Sequence, residues 1–94
     1  MSVSLQTFKK DPDAVLDYGF DWSTWLAIHG DTITASTWTV PAGISEGANQ
    51  RDGTSVKIWL SGGTVGESYV ISCEIVTSDD RTDERSLTIM VEER

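Results

Sequence analysis

The chain has 94 residues, of which 38% are apolar and 23% charged, with four tryptophans; that is one folded domain, too short for two and too apolar for a disordered tail. Fifteen acidic against seven basic side chains leave a net charge of −8, which repels phosphate backbones and anionic lipid headgroups, so neither nucleic acid nor a membrane is an expected partner. Cys73 stands alone, which excludes an internal disulfide, and with no span-length apolar run and no signal peptide expected ahead of Lys9 and Lys10, the chain reads as made in a bacterial cytoplasm.

Residues 1–12 form an N-terminal arm or a weak first strand, closed off by Asp11-Pro12-Asp13, and residues 13–94 form the main domain. Leu5, Phe8, Lys9 and Lys10 are candidate partner contacts, because they combine apolar side chains with the one adjacent basic pair of an acidic chain. Leu16, Tyr18, Phe20 and Trp22 share one parity and predict a strand over Val15–Trp22. Asp21 to Leu26 reads as one helical turn capped by Asp21 or Ser23, or as a strand ending in a kink; either way Trp22 and Trp25 would close one end of the domain. Ile33 and Ala35 have one parity, Trp38 and Val40 the other, which calls for a bulge between Ala35 and Trp38. Trp38, mid-strand, is expected to be the central core aromatic.

A weak strand candidate lies near Ile44. Asp52-Gly53 suits a tight turn with a left-handed residue. Val56, Ile58 and Leu60 then mark a strand on which Trp59 points the other way beside Lys57, as a cross-strand surface pair or as an interface anchor. Gly62, Gly63 and Gly66 mark a connection. Tyr69, Ile71, Cys73 and Ile75 share a strand, Ser78-Asp79-Asp80 turns the chain, and Leu87, Ile89 and Val91 line the last strand. Eleven Ser and eleven Thr, with Thr alternating against apolar residues, fit half-buried antiparallel strands. The predicted fold is an all-β antiparallel sandwich of six to seven strands.

Motifs for chemistry do not assemble. Gly43-Ile44-Ser45-Glu46-Gly47 matches the nucleophile-elbow pattern, but that chemistry needs a strand-to-helix turn and a His after the Ser, whereas His29 precedes it; a small polar loop is the better reading, and His29 reads as a loop residue. Gly63-Thr64-Val65-Gly66 lacks the helices and basic side chains of a nucleic-acid clamp. Asp79, Asp80, Asp83 and Glu84 are dense enough to attract calcium, yet their spacing is not that of an EF-hand, and Arg81 and Arg85 stand among them; a solvated hairpin tip is expected. Cys73 is expected to be an inert core thiol. No catalytic residue, cofactor or metal is expected.

The ordered segments Asp11 to Tyr18, Asp21-Trp22-Ser23 with Trp25-Leu26, Thr37 to Pro41, Trp59 to Thr64, Gly66 to Tyr69 and Arg81 to Ser86 together resemble short tailed-phage virion proteins, the fiber–tail adaptor family, which has an immunoglobulin-like fold. The resemblance implies a structural, non-enzymatic virion protein at the neck or tail that links ring components to fibers through protein–protein contacts as a symmetric oligomer. It also places Trp38 on an Ig-like third strand and Cys73 on the penultimate one, with Tyr18 and Phe20 packing where a disulfide partner would stand. Tyr69 then resembles a tyrosine corner, four residues before Cys73 rather than two. Two other readings compete: a capsid decoration protein, and a cell-surface Ig-like module for carbohydrate or a receptor.

Overall fold

The computed structural model describes residues 5–93. Seven strands and one helix follow in order: β1 (Leu5–Lys10), β2 (Val15–Asp21), α1 (Ser23–His29), β3 (Ile33–Thr39), β4 (Ile44–Arg51), β5 (Ser55–Gly62), β6 (Ser68–Thr77) and β7 (Thr82–Val91). They form a sandwich of a four-stranded sheet, β1-β7-β6-β3, and a three-stranded sheet, β2-β5-β4. The second, fourth and fifth strands face the third, sixth and seventh, as in an immunoglobulin-like domain, and the first strand lies with the seventh instead of the second. That β1–β7 pair is parallel, the one departure from the expected antiparallel pattern; the other four pairs are antiparallel.

Period-two patterning builds the core. On β6, Tyr69, Ile71, Cys73, Ile75 and Thr77 are buried, and their intervening neighbours are not. Leu87, Ile89 and Val91 on β7 and Val56, Ile58 and Leu60 on β5 fill the space between the sheets. Each such side chain contributes about 1.5–3 kcal/mol by leaving water. Cys73 is free, and burial pushes its thiol up to about 12, so it stays a neutral core group.

Several expectations are corrected. The central aromatic is Trp22, with no exposed surface, while Trp38 is only partly buried and packs at the core's margin. Trp38 stacks on Phe20 at 5.9 Å, 23° between planes, and sits opposite Cys73 in the β3–β6 register. Aromatic packing therefore occupies the place of a cross-sheet bridge. The β3 bulge falls between Ile33 and Ala35, one step earlier than the parity suggested; Ala35 consequently turns outward and is exposed. Leu16 keeps the inward parity, opposite buried Leu60, yet stays 40% exposed at the start of the edge strand β2.

The single turn near Trp22 is a seven-residue helix that ends in a left-handed Gly30. Asp21 supports its start by accepting the Ser23 N–H at 2.8 Å. Gly53 is not left-handed; the Asp52 carboxylate holds that turn by accepting the Thr54 and Ser55 N–H groups at 2.8 and 2.7 Å. Ser45 lies within β4 and His29 ends α1, so neither is a loop residue, and both are exposed.

Candidate functional site

Of the candidate contact residues, four lie on β1, at one edge of the four-stranded sheet. Leu5 pairs with Ser86 of β7, and its side chain lies outside the described residues. Phe8 faces inward at this edge, 36% exposed, with its ring 5.3 Å from that of Tyr18. Lys9 points outward and meets Glu92 at 3.7 Å.

Lys10 is out of reach of a partner. It is fully buried, and its Nζ donates to the Asp11 and Gly62 carbonyls at 2.9 Å each. Burial lowers its pKa, and the charges of Asp11 and Asp13 oppose that shift. A chain that alternates faces along a strand puts adjacent lysines on opposite sides. Lys9 and Lys10 therefore cannot act as one basic patch.

Trp59 sits apart from these, on the outward side of the central strand of the other sheet. Its cross-strand partner on β2 is Asp17. Lys57 approaches the indole face at 6.0 Å from the centroid and reaches Asp17 at 4.0 Å. On the β4 side the register shifts between Glu46 and Asn49, and a Cβ on Gly47 would stand 3.4 Å from that of Trp59. The bulge and the missing side chain leave the indole 36% exposed. The structure thus separates Trp59 from β1, on opposite layers of the sandwich.

The four carboxylates expected at a solvated hairpin tip do not share one environment. Asp83 is buried and accepts the Trp22 Nε1–H at 2.8 Å. Arg85 lies 4.7 Å over the same indole and donates to the Asp21 carbonyl at 2.9 Å. Asp79 faces Arg81 at 3.3 Å, and Glu84 is exposed on β7. Among the described residues no group of three or more His, Cys, Asp or Glu side chains is placed to hold a metal ion.

Sequence reasoning missed Asp31. Its buried carboxylate accepts the Ser78 hydroxyl, the Thr32 and Asp79 N–H groups at 3.0 and 3.1 Å and Arg81 Nη1 at 3.2 Å. Burial acts to raise its pKa, but hydrogen bonds from Ser78, Thr77, Asp79 and Thr32 outweigh it and hold the carboxyl well below the usual range. The Gly30-Asp31 pair after an apolar helix was the available signal; the partners lie almost fifty residues away. This group staples the start of β3 to the β6–β7 turn.

Tyr69 fulfils the corner role left open by the sequence. Its phenol oxygen accepts the Thr64 N–H at 2.9 Å, inside the Gly62–Gly66 connection, and a Cβ at left-handed Gly43 would stand 3.0 Å from its ring.

What these side chains do is hold and present surface: buried polar groups staple elements, and the exposed ones lie scattered over two sheet faces. This defines an all-β structural domain of the immunoglobulin-like type. A family model described as podophage GP4 fiber-tail adaptor protein gp77 matches residues 10–90. The chain belongs to that family, and is a structural protein of the phage fiber–tail adaptor kind. The comparison with curated proteins finds no match. No helix among the described residues is long and apolar enough to cross a membrane.

Proposed function

We propose that this protein sits at the neck or tail of the virion and joins ring components to fibers by protein–protein contact alone, without catalysis. The family match over residues 10–90 carries this reading. The fold supports it physically: a body of 43 × 23 × 19 Å with two sheet faces can present different surfaces to two neighbours. Trp59, Phe8 and Lys9 are the contact residues of the proposal, with Leu5 beside them on β1; exposed tryptophan and phenylalanine are the side chains that anchor interfaces. Repeated around the tail, the contacts form a symmetric oligomer, made in the host cytoplasm and delivered in the virion. Nucleic acid and membrane play no part.

The test is genetic. Particles made without this protein are expected to carry heads and tails but no fibers when imaged after purification. A normal fiber complement on such particles would contradict the proposal.

A further inference from the structure

The outward side of the four-stranded sheet has an unusual make-up for a chain of net charge −8. Its central strands present Val70, Ser72, Glu74 and Val76 on β6 and Glu84, Ser86, Thr88 and Met90 on β7, in mutual register. Thr37 and Thr39 of β3 and Thr7 and Lys9 of β1 extend the same side. Val70 is 53% and Met90 39% exposed. The Ser72 and Ser86 hydroxyls bond to each other at 2.9 Å, so they ask little of solvent.

Into this smooth field the fold sets one local conflict. Glu74 and Glu84 stand directly opposite each other, both exposed. Like charges at opposed strand positions are destabilising. Neither makes an ion pair among the described residues, although Lys9, Lys57, Arg81 and Arg85 all do. The nearest cross-strand neighbour on the β3 side is Thr37, which offers no positive charge.

We propose that this side of the four-stranded sheet is a docking face for a different virion protein, one that presents Lys or Arg to the Glu74–Glu84 pair and apolar side chains to Val70 and Met90. The inference rests on the adaptor reading above and adds the face and the chemistry of its partner. Charge argues against a second copy as occupant. Four of this chain's bases already face carboxylates of their own chain and Lys10 is buried, so among the described residues only exposed Arg51, on the other sheet, is left to meet the Glu74–Glu84 pair of a neighbouring copy. A face four strands wide at ~4.8 Å spacing and up to ten residues long at ~3.3 Å offers a footprint of roughly 600 Å², most of one side of a standard interface. A partner that neutralises the pair removes the repulsion, so docking relieves a cost that the free protein carries.

The experiment adds purified protein to fiberless particles made without it and measures protein bound and fibers regained. Wild type restores both. Glu74→Lys/Glu84→Lys keeps a like-charge pair and therefore the wild-type melting temperature, yet binds at least tenfold more weakly; the matched reversal Asp13→Lys/Glu46→Lys, with one change just before β2 and the other on β4 of the other sheet, binds as wild type. Glu74→Gln/Glu84→Gln melts a few degrees higher than wild type and still binds more weakly, so folding and docking move in opposite directions. Equal binding by Glu74→Lys/Glu84→Lys and wild type overturns the proposal, and so does an equal loss in the two reversals, which would reflect overall charge. Self-association of wild type in sedimentation that the Glu74 and Glu84 changes abolish would give the face to a second copy and likewise overturn it. Failure of wild type itself to bind would instead sink the adaptor reading on which the proposal stands.

Discussion

Trp22 is held at its edge and on its face. Its indole N–H reaches the buried Asp83 carboxylate, Arg85 covers the ring, and Phe20 meets it at 5.7 Å. Trp22→Ala is therefore expected to cost about 3–5 kcal/mol, from lost burial and a residual cavity, which leaves a domain of ~5–10 kcal/mol marginal. Trp38→Ala should cost clearly less, since Trp38 keeps contact with solvent. Urea denaturation of both variants checks the order; a larger loss at Trp38 would contradict it. Asp31 gives a pH signature. Its folded pKa lies below the ordinary 3.8, so its stabilisation is fully present above that value and is lost as pH falls below it. The melting temperature of Asp31→Asn is expected to be lower than that of wild type at pH 7, with the gap closing as pH falls below about 4. A gap that stays constant from pH 7 to pH 2 would contradict the role assigned to the carboxylate. Neither feature was open to sequence reasoning in full. The parity of Trp22 announced an inward side chain, but which tryptophan lies deepest depends on α1 folding over it. The carboxylates of Asp31 and Asp83 meet partners about fifty and sixty residues away, and no local pattern records such pairs.

At the scale of elements, β1 is the segment whose role the structure alters most. Its sequence suits an arm or a first strand, and Leu5–Lys10 pairs with β7 along its whole length. Lys10 is buried there and Phe8 touches Tyr18. Removal of residues 2–10 is expected to lower the melting temperature by 10 °C or more, since a shift of about 4–8 °C follows each kcal/mol in a domain of this size. A truncated protein melting within two or three degrees of wild type would return the segment to the arm reading. The β5–β6 connection gives a second element-scale prediction. Gly63 has φ of 100°, and a Cβ there would fall 2.5 Å from Val91 Cγ2. Gly63→Ala is thus expected to destabilise by about 1–3 kcal/mol through backbone strain and overpacking, whereas Gly53→Ala, at ordinary φ with open contacts, should lie within about 1 kcal/mol of wild type. Calorimetry on the pair decides it. Strands β2, β5, β6 and β7 were legible because their apolar residues alternate; β4 was faint, because only Ile44 of its eight residues is buried. The parallel pairing of β1 was not legible at all, since parity within one strand says nothing about its neighbour's direction.

The whole molecule is a small, acidic sandwich whose internal chemistry is spent on holding its own strands together. Among the described residues every base but Arg51 is paired or buried within the chain, and on the proposed docking reading the remaining carboxylates favour basic neighbours. The family was legible in the sequence from segments spread over most of the chain, and the fold followed from strand parity. The contact surface was legible only in part: Trp59 stood out as an aromatic of outward parity, but the opposition of Glu74 and Glu84 depends on the β6–β7 register. That register is set by the turn through Ser78 to Arg81, where Thr77 and Arg81 bond through their backbones at 2.8 Å and Asp80 adopts a left-handed conformation. The central claim is that the protein belongs to the tail apparatus and not to the capsid surface. Virions carrying a gold label on this protein, imaged at low resolution, test it most directly. The account predicts label confined to the neck or tail at the roots of the fibers, and label distributed over the capsid shell would contradict it.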